Sequence, residues 1–195
     1  MIAWISREVR AGALGILLLA SLSALAEPPR HLNAEGYRAA YYRAPTPANV
    51  PNGTTLTTAE LRQLLATQSP VLVDVQAIAM RPELLDFAID WLPDVPRQSL
   101  PGSVWLPNVG YASLSPTLDA YFREQLARLT AGDRARAIVI FCVADCWMSW
   151  NAVQRAHGYG YRNLYWYPDG TDGWREARLP LTEVQPVPLD REVTR

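Results

Sequence analysis

Lysine is absent from this chain. All eighteen basic residues are arginine, no basic run occurs, and the formal net charge is −1, so nothing resembles the stripe of cations that tracks a phosphate backbone. Nucleic acid is therefore not an expected partner. Histidine is almost as scarce. His31 and His157 stand far from each other and from the only two cysteines, Cys142 and Cys146. A zinc site normally gathers four N, S or O ligands, so no metal is expected. Haem attachment through Cys-x-x-Cys-His is missing as well, and no internal repeat is visible. The longest apolar run, "AGALGILLLASLSALA", is about 16 residues, short of the roughly 20 that span a bilayer.

That short run has a different use. Arg7 and Arg10 precede it, and small residues at Ala24 and Ala26 end it just before "EPPR", the pattern of a secretory signal peptide. A membrane anchor is the rival reading. Cleavage after Ala26, residence in the periplasm and no stable membrane insertion afterwards are the expectations, and both cysteines would then meet oxidising conditions. With 195 residues, 49% of them apolar, the chain is long enough for one core and too short for two ordinary domains.

Residues 27–55 include "HLNAEGYRAAYYRAPTPANVPNGTT", rich in Pro, Tyr and Ala and without periodicity. They read as an extended segment wrapped over the domain and held by its tyrosines. Thr57 to Glu60 form a capping box, opening a helix with Leu61, Leu64 and Leu65 on one face. "SPVLVDVQ" is a short buried strand ending on Asp74, and "SVWLP" and "RAIVIF" are further strands. Helices are expected over "TLDAYFREQLARLT" and "WMSWNAVQRAHGYG", then a strand at "NLYWY" and a last short helix at "GTDGWREA". Strands alternating with helices imply an α/β fold, a central parallel sheet flanked by helices on both faces. Residues 182–195 read as an exposed tail.

Ligand sites in open parallel sheets lie beyond the carboxyl ends of the strands, where Asp74 and Cys142 both fall. Cys142 comes at a strand-to-helix turn, where amide donors and the helix dipole acidify a thiol. For a lone cysteine, apolar filling would be the simpler reading. Cys146 in the same turn reverses that preference. A disulfide between them would close a short ring that constrains the unfolded chain little, which suits a cycling pair better than a staple. Asp74 reads as a carboxylate that hydrogen-bonds loop amides rather than as a base. A quinone stacked on Trp147 or Trp150 is set against ordinary packing of the chain's tryptophans.

The ordered stretches "VLVDVQ", "LPGSVWLP" and "IVIFCVADCWMSWNAVQRAHGYGYRNLYWYPDGTDGWREARLPL" resemble the rhodanese domain over residues 56–181. More narrowly, the exported N-terminus, "GYRAAYYRAPTP" and "DCWMSWNA" resemble the PQQ-dependent catabolism-associated CXXCW motif family. The resemblance implies a rhodanese-like fold and a single domain with an extended N-terminal segment. It also implies a site loop of Cys142, Val143, Ala144, Asp145, Cys146, Trp147 and Met148, supported by Asp74 and Gln76. The implied partners are a periplasmic protein, a PQQ-dependent dehydrogenase or its cytochrome, and a periplasmic thiol reductant; no cofactor belongs to the chain itself.

The departures carry information too. Rhodanese loops present Gly and Arg to grip a sulfur oxyanion, whereas Asp145 and Trp147 stand here, and Asp145 repels an anion at short range. Gln76 replaces the Arg of "D-V-R", and three residues separate the cysteines where the family name denotes two. Thiosulfate sulfurtransferase activity is thus not expected. The mechanism implied is attack by Cys142 on a partner disulfide, persulfide or sulfenic acid, with Cys146 resolving the mixed species. A non-catalytic module that binds a partner of the quinoprotein system is the alternative. "MRPELLDFAIDWLPDVPRQS" is longer than the matching rhodanese connection; its Trp91, Leu92 and prolines either cover Cys142 or pack on the sheet.

Overall fold

In the computed structural model, residues 31–78 and 96–189 are described. The core divides on β5 (Ile138–Phe141), whose four residues are all buried. Successive side chains of a strand point to opposite faces, so Ile138 and Ile140 enter one apolar cluster and Val139 and Phe141 another. The neighbouring strands β2 (Val71–Asp74) and β6 (Leu164–Tyr167) divide the same way: Val73, Leu164 and Trp166 join the first cluster, Leu72 and Tyr167 the second.

Helices cover both faces. The first cluster is closed by Leu118, Tyr121, Phe122 and Leu126 of α2 (Pro116–Leu129) and by Trp150, Ala152, Val153 and Ala156 of α3 (Trp147–Gly158). The second is closed by Leu61 and Leu64 of α1 (Thr58–Thr67) and by Trp174 of α4 (Gly170–Glu176). Local chemistry starts these helices where the sequence pattern puts them. Thr57 accepts from the Glu60 N–H while Glu60 reaches back to the Thr57 N–H, the reciprocal capping box. Ser115 caps α2, with Pro116 in its first turn. Phe122 is fully buried, and truncation to Ala there would cost about 3–5 kcal/mol.

The main sheet has the order β1-β6-β5-β2-β4, all neighbours parallel, with β1 at Thr54–Thr55 and β4 at Val104–Trp105. Asp74 pairs in register with Phe141 on one side and Trp105 on the other. The carboxyl ends of β2 and β5 therefore lie side by side, which brings Asp74–Gln76 next to Cys142. Among the described residues, no helix is long and apolar enough to cross a membrane.

Two features depart from the sequence reading. The extended segment read as wrapped over the domain surface also enters the sheet, contributing β1 to its edge. The tail is not a free extension through Leu189: β7 (Thr182–Val184) pairs antiparallel with β3 (Arg97–Ser99), and Val187 donates to the Trp105 carbonyl and accepts from the Tyr121 hydroxyl. Backbone pairing of this kind needs no apolar periodicity, so composition gave no sign of it. The two expectations for Trp91 and Leu92, and the leader at 1–26, lie outside the described residues.

Candidate active site

Cys142 is the first residue beyond β5 and Cys146 immediately precedes α3. Between them the chain turns back on itself at Asp145, whose φ of +52° lies in the left-handed region; Asp tolerates this better than most residues because its short side chain bonds locally. The turn brings the two Cα atoms to 6.3 Å, and the sulfurs are joined as a disulfide. The cystine is buried, with Cys142 at 0% and Cys146 at 6% exposure.

One expectation is corrected here. Helix α3 begins at Trp147, so Cys146, not Cys142, holds its N-cap position, without a side-chain cap bond. The three-residue spacer carries the chain from strand to helix, which places the second cysteine, rather than the first, nearest the dipole's positive end.

Several of the loop's backbone groups are engaged from within the chain. The Ala144 N–H donates to the Asp172 carboxylate at 3.1 Å, and the Trp147 N–H donates to the Tyr42 carbonyl at 2.8 Å. The Ala44 N–H donates in turn to the Asp145 carbonyl at 3.0 Å. Asp172 also lies 3.6 Å from Arg43 and 3.4 Å from Arg175. One carboxylate of the protein thus already sits where an oxyanion would seek a loop amide. On the other wall, the Cys142 carbonyl accepts from the Thr171 N–H at 3.0 Å. Gly170, at φ +54°, lies so close that a Cβ would overlap that carbonyl, so only glycine fits there.

Of the two supporting residues expected from the sequence, Gln76 meets the pair directly and Asp74 lies behind it, through Gln76 and Arg97. The Gln76 amide oxygen lies 3.1 Å from Cys142 Sγ. Within the disulfide that sulfur carries no proton. Once reduced, the amide can accept from the thiol or, turned over, donate to a thiolate. Asp74 is fully buried and held by Arg97 at 2.8 and 2.9 Å, by the Ser99 hydroxyl at 2.6 Å and by the Gln76 N–H at 3.0 Å. Burial pushes its carboxyl above the ordinary value, while Arg97, Ser99 and the Gln76 N–H pull it back. Arg97 also reaches the Cys142 carbonyl at 3.4 Å. The sequence led us to expect loop amides as partners of Asp74; it has one, the Gln76 N–H, beside the Arg97 guanidinium and the Ser99 hydroxyl.

The rest of the loop motif anchors the N-terminal segment. Trp147 packs under the Arg38 guanidinium, 4.6 Å from its centroid, and edge-on to Trp150 at 5.1 Å. Trp150 donates to the Asn49 carbonyl. Asn151, fully buried, accepts from the Arg38 N–H and donates to the carbonyls of Arg38 and Gly110. Met148 is buried against Gly110. Both tryptophans are at most 4% exposed, so packing is their role and neither ring offers a stacking platform. Tyr37 and Tyr42 hold the segment as expected, against Arg155 and Tyr111, whereas Tyr41 is 69% exposed. His31 lies against Tyr41 with the rings tilted, centroids 4.8 Å apart, and His157 lies in the last turn of α3.

The sequence reading did not find Arg97, Ser99, Arg43 or Asp172, nor that the Tyr42 carbonyl reaches the site loop. Strand β3 is three residues long, too short for alternation to register, and Asp172 is an ordinary first-turn acid of α4.

A family model described as "Rhodanese-like domain" matches residues 57–177, a span that leaves out Tyr42–Ala44. No curated protein matches the chain. Among solved structures it is similar to a thiosulfate sulfurtransferase from Pseudomonas aeruginosa, with 18% identity over 69% of this chain and 21% of that one and a TM-score of 0.44. It is also similar to a polysulfide-sulfur transferase homodimer from Wolinella succinogenes, with 19% identity over 67% and 79% and a TM-score of 0.42. A human single-domain sulfurtransferase gives 21% identity over 64% and 96%, with a TM-score of 0.40. The chain spans about a fifth of the length of the Pseudomonas protein.

Proposed function

Because the chain belongs to the rhodanese-like domain family, we propose that it is an exported, periplasmic member that handles sulfur or thiol/disulfide chemistry through Cys142 and Cys146. The observation that carries this is the disulfide itself, closed within the site loop at the end of β5. The Gln76 amide beside Cys142 supports it, since an uncharged group that can accept or donate suits a sulfur that alternates between thiol and thiolate. The loop does not suit thiosulfate: Asp145 and Trp147 replace the anion-gripping pair, and Asp172 already takes one loop amide.

The exchange balances with a partner dithiol. One partner thiolate attacks a sulfur of the Cys142–Cys146 bond, the other cysteine leaves as a thiolate and takes a proton, and a mixed disulfide remains. The second partner thiolate then attacks its own sulfur in that bond and the cysteine departs. The partner dithiol is oxidised to a disulfide and the pair is reduced by two electrons; the reverse sequence reoxidises it. We place the protein in a PQQ-dependent alcohol-oxidising system: a periplasmic thiol reductant is the dithiol that reduces the pair, and a disulfide of the dehydrogenase or its cytochrome is reduced in the reverse sequence, which restores the Cys142–Cys146 bond. The support is that the two stretches carrying the subfamily resemblance pack on each other, through Asn151 with Arg38 and through Trp147 with Arg38 and Tyr42.

The near-complete burial of both sulfurs favours one alternative, a non-catalytic module that binds the same partner. Capture from periplasm with single-cysteine variants distinguishes the two. A partner held by a bond that thiols release, and lost from the double Cys→Ser variant, supports exchange. Equal capture by the double variant supports the binding module.

A further inference from the structure

The N-terminal segment reaches the site. Tyr42–Ala44 runs antiparallel to Asp145–Trp147, with hydrogen bonds from Ala44 to Asp145 and from Trp147 to Tyr42. The register sets Arg43 directly opposite Cys146 as the pair that shares no hydrogen bond. In such a pair the Cα atoms lie about 4.5 Å apart and the side chains leave from the same side. The Arg43 guanidinium lies 3.6 Å from the Asp172 carboxylate, which also accepts from the Ala144 N–H of the loop, and its side chain is 62% exposed. Cys146 also caps α3. Cys142 faces a different environment. It is fully buried against the Gln76 amide, and the Arg97 guanidinium that reaches its carbonyl is paired with Asp74.

Resting on the thiol-exchange function above, we propose that Cys146 is the sulfur that bonds to the partner and that Arg43, from outside the matched domain, stabilises its thiolate. The attacking partner thiolate bonds to Cys146 Sγ, the bond to Cys142 breaks, and Cys142 leaves as a thiolate that takes a proton beside Gln76. The charged groups around Cys146 are Arg43 and Arg38 from the segment, Asp145 from the loop, and Asp172 with Arg175 from α4. Asp145 and Asp172 oppose the thiolate, and Arg43, in the register position opposite Cys146, offsets them.

The test uses the full chain as exported. Reduced Cys142→Ser and Cys146→Ser proteins are alkylated with iodoacetamide across pH 5–10 and read by intact mass. The expected result is a midpoint for Cys146 below both that of Cys142 and the free-thiol value of about 8.5. Arg43→Gln in the Cys142→Ser background should slow alkylation at pH 7 about three-fold, less at high salt, and Arg43→Lys should restore most of it. As a check that needs no cysteine variant, the wild type is treated with oxidised glutathione after reduction and cleaved before Asp145, which separates the two sulfurs; the adduct should sit on Cys146. A lower midpoint for Cys142, an adduct on Cys142, or an Arg43→Gln midpoint that does not move would overturn the proposal. Failure of the exchange function itself reads out separately, as a wild-type pair that never cycles in glutathione buffers, while the midpoints still decide the roles.

Discussion

Replacing Arg97 with Met probes how the sheet holds the site. Asp74 is fully buried and Arg97 is 13% exposed, and the two are joined by contacts of 2.8 and 2.9 Å. Removing one member of a buried pair costs about 3–5 kcal/mol, because the other charge is left without compensation. Ser99 at 2.6 Å and the Gln76 N–H at 3.0 Å would still hold the carboxylate, which places the expected loss near the lower end, about 3 kcal/mol. With a urea m-value of about 2 kcal/mol/M, the unfolding midpoint should fall by about 1.5 M at pH 7. The pH dependence has a definite sign. Asp74 titrates above its ordinary 3.8 in the folded protein, so the folded state keeps a proton that the unfolded state loses. That contribution is present at low pH and is lost as pH rises from 3.8 through the raised folded value. Without Arg97 the folded value rises further, so the deficit should shrink as the pH is lowered and the carboxyl becomes neutral. Equilibrium urea unfolding at pH 7 and pH 5 measures both. A midpoint shift under about 0.3 M at pH 7, or a deficit that does not change with pH, would refute the reasoning.

Thiosulfate should not be turned over to thiocyanate at rates comparable with a rhodanese bearing the Gly/Arg loop, because Asp145, Trp147 and the Asp172 contact leave no grip for the anion; comparable turnover in a cyanide assay would contradict this. Asn151→Ala should cost about 1–3 kcal/mol and loosen residues 31–50, since it strips the buried bonds to Arg38 and Gly110; hydrogen exchange confined to that segment is the readout, and unchanged protection would count against it. Protein recovered from the periplasm should begin at Glu27, and an intact mass that retains residues 1–26 would refute export with cleavage.

The alternation of strands and helices was legible because burial writes it into the sequence. Every residue of Ile138–Phe141 is apolar and buried, and the Thr57–Glu60 capping box marks a helix start by local chemistry alone. Gln76 was legible for a different reason: a resemblance fixes which strand end faces which, and the register of β2 with β5 then carries Gln76 to Cys142. What was not legible depends on contacts far apart in sequence. Arg97 meets Asp74 across 23 positions, and Arg43 meets Cys146 across about a hundred. Neither pairing leaves a periodic trace. The order of the two cysteines relative to the helix dipole turned on a boundary of a few residues, where a cap position rather than a pattern decides. The docked tail was missed because β3 and β7 are three residues each and are held by backbone bonds that most side chains permit.

The central claim is that Cys142 and Cys146 form a reversible disulfide in the folded protein. The wild-type full chain, equilibrated anaerobically in glutathione buffers of graded potential, is quenched with an alkylating agent and its thiols are counted by intact mass. A single two-electron transition from cystine to dithiol, above about −300 mV and complete while the fold is intact, is the expected result. A pair that stays oxidised until the protein unfolds, or one that never oxidises, would contradict it.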